Sequence, residues 1–408
     1  MSIEYRLLTA DDLEQASHVE SRAFYNRSSP ESVEQLRKFF PPEWTAGAFV
    51  DGTLVADVRT IPQIRRMSGS KCHFGSVGPV ACLAAYRRQG HVGKTLKLAL
   101  ETMRERGQAL SGLYTPHDAL YRRYGWERAE GKKKYVIEPK KAHLRFRGER
   151  GSTTPVKNED WPRLDAIYRA ATRDANGPFV RAEIWWKEVV LREYGRDSKA
   201  TDSDAVVWTD RDGNDQGYVI YFERSTGVRE GNWEQQEIFV RDFIALTPDA
   251  YLGLCEHLLA HDLASNIVWE CRPDDLFPDL LEDPSAVQQS IPEGGMIRVV
   301  DVERAIANRP YVGGKSASAV IRIEDETLGG NHGTWRIDGS GREMSAEKTD
   351  AKPDAEMSVN MLAPLYTGHI TPERAALSGR IKIRSEAAME ELTRLFAVDA
   401  IPYCPDWY

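Results

Sequence analysis

The same succession of predicted secondary-structure elements occurs twice along the chain. This repeat limits the folds that the chain can adopt. A hairpin, a long strand, a helix, a further strand and a short apolar segment are indicated over residues 45–125 and again over residues 206–281. In the first copy, the apolar residues between Val92 and Met103 recur at helical spacing. Because the hairpins precede the crossover helix, this order does not fit a doubly wound nucleotide-binding fold. It predicts a mixed α/β sheet in each copy.

Shifts in composition divide the chain into three predicted domains. A chain of 408 residues exceeds the size of one ordinary core. The segment PKKAHLRFRGERGSTTP is charged and poor in apolar residues, which indicates a linker near residue 150. The pattern changes again after the segment GGMIRVVDV, where short helices and strands follow. We therefore expect domains at residues 1–148, 149–290 and 291–408, the third of them a small α/β domain.

The net charge and the cysteines argue against several classes of protein. The formal net charge is −8 at pH 7, which should repel nucleic acid and anionic membranes but tolerate a cationic amine. The sequence has no apolar stretch near the roughly 20 residues of a membrane span and no signal-peptide core at its start, so we expect a cytoplasmic protein. The five cysteines are widely separated and lack CxxC spacing, so we expect reduced thiols and no cysteine zinc site.

Two histidines, His257 and His261, lie four residues apart on a predicted helix. This spacing can hold zinc, but no third ligand follows at motif spacing. An ordinary helix face is the alternative interpretation, and we expect no bound metal.

The segment between the strand VGPVACL and the following helix has the features of an anion site. Free N–H groups at a helix start, glycines that allow close approach and neighbouring arginines suit a pyrophosphate. A plain basic helix start is the alternative. The residues concerned are Arg87, Arg88, Gln89, Gly90, His91, Val92 and Gly93. The second copy has FIALTPDA at this place, without glycines, and is not expected to bind a nucleotide.

The strands before this loop and the segment LYTPHDALYRRYGW after it together resemble the GNAT acetyltransferases, and within them the enhanced intracellular survival (Eis) family. The resemblance extends over nearly the whole chain. It implies a GNAT-like domain, a degenerate second GNAT-like domain and a sterol-carrier-like α/β domain with an aromatic C-terminus. It also implies acetyl transfer from acetyl-CoA to an amine, and a homo-oligomer that is usually a hexamer in this family.

The resemblance assigns the phosphate-binding role to the loop. In the family motif R/Q-x-x-G-x-G/A, the matching positions here are Arg87, Gly90 and Val92. Val92 departs from the small residue usual at the last position, and Gly93 follows it directly. We expect the segment from Arg88 to Gly93 to form the phosphate cradle.

The strand before the loop is expected to hold the pantetheine arm of acetyl-CoA through backbone hydrogen bonds, as an added strand would. The resemblance implies direct acyl transfer, without an intermediate on a cysteine. The remaining expected coenzyme-binding residues are Val80, Ala81, Cys82, Pro116 and His117.

The motif LYRRYGW places Tyr121 where the family carries its general acid. With an unperturbed pKa of about 10, a tyrosine can protonate a leaving thiolate of pKa about 8.5 in a nearly thermoneutral step. A packed aromatic cluster of Tyr121, Tyr124 and Trp126 is the alternative interpretation.

The family resemblance assigns the general base to the chain's own terminal carboxylate, here on Tyr408. A free α-carboxyl group is ionised at neutral pH, and apolar surroundings make it a better base. The tail DAIPYCPDWY is apolar enough to dock inward. A terminus packed only for stability is the alternative.

The expected acceptor-site residues are Phe24, Asn26 and Asp406. Phe24 matches an aromatic residue that lines the acceptor pocket in the family. Asn26 and Trp407 stand where aminoglycoside-modifying relatives carry acidic residues, which predicts weaker binding of a polycationic acceptor unless Asp406 compensates. The acceptor classes considered are aminoglycosides, polyamine-like molecules and lysine side chains.

Two further functions follow from parts of the resemblance. N-myristoyltransferases also pair tandem GNAT modules with a terminal carboxylate, so a longer acyl-CoA is an alternative donor. Sterol carrier folds hold lipids in an apolar cavity, so a lipid or sterol carrier is the non-enzymatic alternative.

Overall fold

The computed structural model describes residues 2–26, 30–148, 151–194, 200–230 and 233–407. The chain divides into two compact units. The first contains the described residues of Met1–Glu130 and of Gly294–Tyr408, and the second those of Gly131–Gly195 and Lys199–Glu293.

The N-terminal part of the first unit alternates helices with an antiparallel meander. Its elements are β1 (Ile3–Leu7), α1 (Leu13–Ala23), α2 (Pro30–Phe39), β2 (Thr45–Val50), β3 (Thr53–Met67), β4 (Ser70–Cys82), α3 (His91–Glu105), β5 (Leu110–Leu113), α4 (Asp118–Arg122) and β6 (Glu127–Arg128).

The second unit follows in the chain. Its elements are β7 (Lys133–Ile137), β8 (Ser152–Pro155), α5 (Trp161–Thr172), α6 (Glu183–Trp185), β9 (Arg192–Tyr194), β10 (Ala200–Asp202), β11 (Asp204–Thr209), β12 (Asp215–Glu230), β13 (Trp233–Ala245), α7 (Pro248–Leu259), β14 (Asn266–Cys271) and β15 (Val287–Ser290). Its main sheet has the order β15-β7-β14-β13-β12-β11-β8.

The C-terminal part returns to the first unit. Its elements are β16 (Met296–Val299), α8 (Val302–Ala307), β17 (Ala317–Glu324), β18 (Gly333–Ser340), β19 (Glu343–Lys348), β20 (Ala355–Ser358), α9 (Val359–Thr367), α10 (Pro372–Leu377), β21 (Ile381–Ile383) and α11 (Glu386–Leu395). A sheet of order β19-β18-β17-β20-β21 forms the third domain, and β16 joins the first sheet.

The first sheet has the order β1-β2-β3-β4-β5-β16-β6, with helices on both faces. On one face, Leu13 and Val19 of α1 pack against Leu54 and Ala81. On the other, the apolar stripe of α3 packs against a cluster that includes Val58. Covering both faces explains why β2 is buried along its whole length. The predicted class of mixed α/β sheets is confirmed.

Two strands lie in a different place from the one indicated by the sequence. The strand Lys133–Ile137, assigned above to the first domain, pairs with β14 and β15 in the second sheet. The strand Met296–Val299 pairs instead with β5 and completes the first sheet. The end of the expected linker, Ser152–Pro155, is a strand that pairs with β11. These pairings join residues far apart in sequence, so local patterns do not reveal them.

A buried ion pair connects the first sheet to the third domain. Arg298 on β16 donates to both carboxylate oxygens of Asp325, at 2.9 and 3.0 Å, and Asn331 donates to the same carboxylate. Arg298 also donates to the carbonyl oxygen of Tyr124. This network fixes the C-terminal domain against the segment that carries the predicted catalytic tyrosine.

Candidate active site

The strands β4 and β5 separate where the coenzyme is expected. In the described residues, their parallel pairing ends at Ser76 and Gly112, whereas β4 continues to Cys82 with β3 as its partner. The register of β4 on β3 shifts between the pairs that contain Val77 and Val80, which marks a bulge. A strand edge that faces a gap in this way can pair with an extended ligand.

The predicted phosphate loop leads into α3 with two residues in the left-handed region. Arg88 has φ +63° and Gly90, the N-cap of α3, has φ +85°. Both residues are exposed. A left-handed turn directly before the unpaired N–H groups of a helix start is an arrangement that can bind anions.

The side chains of the loop divide into two groups. Those of Arg88 and Gln89 are exposed, and Arg87 donates from Nε to the carbonyl oxygen of Cys82 at 3.2 Å. His91, expected in the cradle, is 3% exposed, and its Nδ1 lies 2.9 Å from the hydroxyl of Tyr5. Its backbone belongs to the helix start, but its side chain anchors α3 on β1.

Close packing against Tyr124 explains the glycine at position 93. A Cβ atom there would lie 2.1 Å from the hydroxyl oxygen of Tyr124, so only glycine allows this close approach. Val92 is partly buried and packs against the core beside this tyrosine. The structure thus accounts for the order Val92-Gly93, in which the small residue comes one position later than in the family motif.

Tyr121 lies at the C-terminal end of α4, 8% exposed, in the core that also contains Val58 and Val77. Its ring meets that of Trp126 edge to face at 6.2 Å. Burial raises the pKa of Tyr121 to about 12, and its hydrogen bond with Thr115 opposes this rise only in part. The nearly thermoneutral proton transfer expected from the sequence is therefore wrong, because burial disfavours the phenolate.

The C-terminal tail docks on Tyr114, in the segment that precedes α4. The ring of Trp407 stacks on that of Tyr114 with centroids 4.7 Å apart, and the Tyr114 hydroxyl donates to the carbonyl oxygen of Asp406 at 3.2 Å. Asp406 is 3% exposed. Tyr114 directly precedes Thr115, the partner of Tyr121. Tyr408 itself lies outside the described residues.

Four of the other expected site residues, Phe24, Asn26, Pro116 and His117, lie at two exposed places, whereas Ala81 and Cys82 are buried on β4. Phe24 and Asn26 follow the end of α1, where Phe24 is 49% exposed. Pro116 and His117 are exposed in the turn before α4, where His117 is the N-cap.

A buried acid, Asp57, and a partly buried one, Glu20, lie in this domain and were not predicted from the sequence. Asp57 on β3 is 0% exposed and lies opposite Ala81 of β4 in register. Glu20 of α1 faces it and forms a buried ion pair with Arg59. The signal was present in the segment LVADVR, where one acid interrupts an apolar strand.

His257 on α7 and His261, just after it, lie against Tyr221 of β12, and the two histidine rings contact each other with centroids 5.3 Å apart. Burial lowers the pKa of His257. The part of the chain that the structure describes contains no group of three or more His, Cys, Asp or Glu residues placed to hold a metal ion. It also contains no helix long and apolar enough to cross a membrane.

Comparisons with known proteins assign a family to each part of the chain. Residues 4–129 and 177–299 each match a family described as Acetyltransferase (GNAT) domain, and residues 302–405 match one described as Sterol carrier protein domain. An uncharacterized N-acetyltransferase of Streptomyces avermitilis is 27% identical, with 93% of this chain and 92% of that protein aligned. N-acetyltransferase Eis of Mycobacterium tuberculosis is 23% identical over 96% of both. The crystal structure of Eis1 from Mycobacterium abscessus superposes with a TM-score of 0.80 at 25% identity and covers all of both chains.

Proposed function

Because this chain belongs to the GNAT N-acetyltransferases of the Eis type, we propose that it transfers the acetyl group of acetyl-CoA directly to a primary amine. The observation that carries the proposal is the gap between β4 and β5, bordered by an anion-binding loop and by a buried tyrosine. The first GNAT domain supplies all three features.

Acetyl-CoA fits the residues that line this gap. The pyrophosphate would lie at the start of α3, where Arg88 adds a positive charge and Gly90 gives access to the backbone. The pantetheine amides would pair with the backbone of Val80 and Cys82, on the part of β4 that extends past β5. The thioester would then lie at the junction of the two strands, where backbone N–H groups can stabilise an oxyanion.

Tyr121 is the proposed general acid. Its pKa of about 12 keeps the hydroxyl protonated throughout the neutral range, so the group is always able to donate. Complete transfer of its proton to a thiolate of pKa about 8.5 would cost about 5 kcal/mol. A hydrogen bond donated by Tyr121 to the departing sulfur avoids that cost, and the proton that the Tyr408 carboxylate takes from the attacking amine can pass on to the thiolate.

The proposed base is the terminal carboxylate of Tyr408. Support comes from the docking of its two predecessors: Asp406 and Trp407 are held by Tyr114, whose chain neighbour Thr115 contacts Tyr121. An ionised carboxylate can accept the proton of the attacking amine.

We favour catalysis over the carrier alternative, since residues 4–129 and 177–299 each match an acetyltransferase domain. The interior between the sheet and the helices of the third domain is filled by fully buried side chains, among them Ile321, Ile337, Leu362, Leu365 and Leu392. An open groove of about 600 Å³ lies on its surface between α10, β21 and α11. The choice of acyl chain and a hexameric assembly stay expectations from the family.

Thiol release from acetyl-CoA in the presence of polyamines, aminoglycosides and lysine peptides tests the proposal. The intact protein is compared with a form extended by one glycine after Tyr408, which retains every side chain. We expect turnover of an amine by the intact protein and its loss on extension, with acetyl-CoA binding unchanged. Equal turnover by the two forms would refute the base assignment, and binding of lipid without turnover of any amine would favour the carrier.

A further inference from the structure

The side chain of His91 is buried at the start of α3, although the loop residues directly before it are exposed. It is 3% exposed, whereas Arg88, Gln89 and Gly90 all face solvent. Its Nδ1 lies 2.9 Å from the hydroxyl oxygen of Tyr5, in a hydrogen bond in which either group can donate. The chain thus turns inward at the point where the proposed pyrophosphate loop meets the helix.

The ring of His91 connects three separate pieces of the first domain. Tyr5 belongs to β1, and Tyr86 ends the short turn that leads into the loop. The centroids of their rings lie 6.1 and 6.3 Å from that of His91, the second pair edge to face. Tyr5 also lies under the ammonium group of Lys94, one turn further along α3, at 5.0 Å. His91 therefore holds together a strand, the chain that enters the loop and the chain that leaves it.

The backbone of the loop requires support from both of its ends. Arg88 has φ +63°, in the left-handed region that a residue with a Cβ atom rarely adopts. Such conformations persist where the surrounding contacts enforce them. On the side where the chain enters, Arg87 and Gln89 each donate from the side chain to a backbone carbonyl oxygen. On the side where it leaves, the buried ring of His91 supplies the contact.

We propose that His91 is a positioning residue for coenzyme binding, whose ring keeps residues 87–90 in the left-handed turn before the coenzyme arrives. The inference rests on the proposed binding of acetyl-CoA to the first domain. Because the imidazole is buried, it acts through the backbone of the loop and not by contact with the ligand. Without the ring, a smaller fraction of the molecules has the competent loop, and the apparent affinity falls by that fraction.

This role predicts a defect confined to one part of the coenzyme. In the proposed binding mode the loop meets the pyrophosphate, whereas the pantetheine arm pairs with β4. Loss of the ring should raise the KM for acetyl-CoA and leave kcat at saturation unchanged, since only binding is weakened. The KM for S-acetylpantetheine, which lacks the pyrophosphate and the adenosine, should not change. A ring that only stabilised the fold would affect the two donors alike.

The test measures kcat/KM for both donors with one amine acceptor in the full-length protein. His91→Leu removes both ring nitrogens, and Tyr5→Phe removes only the partner hydroxyl. Each should lower the ratio of kcat/KM for acetyl-CoA to that for S-acetylpantetheine by about 3- to 10-fold, the effect of one hydrogen bond on an equilibrium. His91→Asn retains a hydrogen-bonding group near the place of Nδ1 and should restore most of the ratio. The double variant with Tyr5→Phe should be little worse than His91→Leu, because both changes break the same bond.

Thr102→Val is the matched control. Thr102 is buried on the same helix, about three turns after His91, and its hydroxyl donates to the carbonyl oxygen of Leu98 at 2.9 Å. The variant loses one hydrogen bond of α3 and should leave the ratio unchanged. Thermal unfolding shows which variants are folded at the assay temperature. Tyr5→Phe retains its ring under Lys94, so it carries the test if His91→Leu does not fold.

Calorimetric titration with coenzyme A gives a readout that needs no turnover. Coenzyme A should bind Tyr5→Phe about 3- to 10-fold more weakly than it binds the wild type or Thr102→Val. If an amine is acetylated but Tyr5→Phe leaves the ratio of the two donors unchanged, the positioning role is refuted and the proposed function stands. If no amine is acetylated while coenzyme A shows this loss of affinity, the proposed function fails and the positioning role stands.

Discussion

Replacement of Tyr121 by phenylalanine tests the role of the buried hydroxyl directly. The substitution removes one oxygen atom and retains the ring that packs edge to face on Trp126. Folding should change little, by about 1 kcal/mol, since one hydrogen bond to Thr115 is lost together with a buried polar atom. Removal of one preorganised donor from a developing anion commonly lowers kcat by about 10²- to 10³-fold. We expect that loss, with the KM for acetyl-CoA nearly unchanged.

The pH dependence of the wild type supplies a second measure. The folded pKa of Tyr121 is raised to about 12, above its unfolded value, so the protonated form persists through the range in which a free tyrosine would ionise. The rate should therefore show no decrease due to Tyr121 between pH 7 and about 10. Steady-state thiol release over this range, with a butylamine or diamine acceptor, measures it.

Tyr124→Phe is the discriminating comparison, because this tyrosine belongs to the same motif and its hydroxyl packs over Gly93 instead. A large loss of kcat in Tyr124→Phe with little loss in Tyr121→Phe would refute the assignment. So would a decrease of the wild-type rate below pH 10 that disappears in Tyr121→Phe.

Two further predictions concern packing and charge. Gly93→Ala should destabilise the protein by about 1–3 kcal/mol, since its Cβ would lie 2.1 Å from the Tyr124 hydroxyl. In a Tyr124→Phe background this destabilisation should be smaller. Thermal unfolding of the two single variants and of the double variant measures both effects. Hydrogen bonds from Arg6 lower the pKa of Asp12 to about 2, so this acid stabilises the fold above its unfolded pKa near 4 and the contribution is lost as the pH falls towards 2. With solvent screening at the partly exposed Arg6, we expect Asp12→Asn to lower the free energy of unfolding by about 1–2 kcal/mol at pH 7, and the difference from wild type to vanish near pH 2 in urea titrations.

Local signals in the sequence were sufficient for the elements whose ends are set by their own residues. The helix after the phosphate loop runs from His91 to Glu105, and Gly107 follows it with φ +82°, a conformation that favours glycine. Thr371 and Ser385 cap α10 and α11, since each side chain accepts a hydrogen bond from an N–H group of the first helical turn. The two mixed sheets could also be predicted, because hairpins and a crossover helix follow in a fixed order.

Other elements depended on partners far away in the chain. The helix α9 contains Pro364 in its interior and was not predicted, since proline normally interrupts a helix. Its burial against the first domain, with Asn360 donating to the carbonyl oxygens of Arg122 and Trp126, accounts for it. The same holds for Met296–Val299, a strand whose place in the first sheet is fixed by its pairing with β5.

The features of the candidate site also fall into those set by local sequence and those set by distant partners. The sequence by itself was enough to predict a pyrophosphate-binding loop and a tyrosine at the acid position, because glycine conformations and short motifs are local properties. Only the tertiary structure decided that Tyr121 has a raised pKa, that the tail rests on Tyr114, and that Asp57 meets Glu20 away from water. Solvation and electrostatic interaction depend on all the atoms packed around a group, and here those atoms come from helices and strands that are distant in sequence.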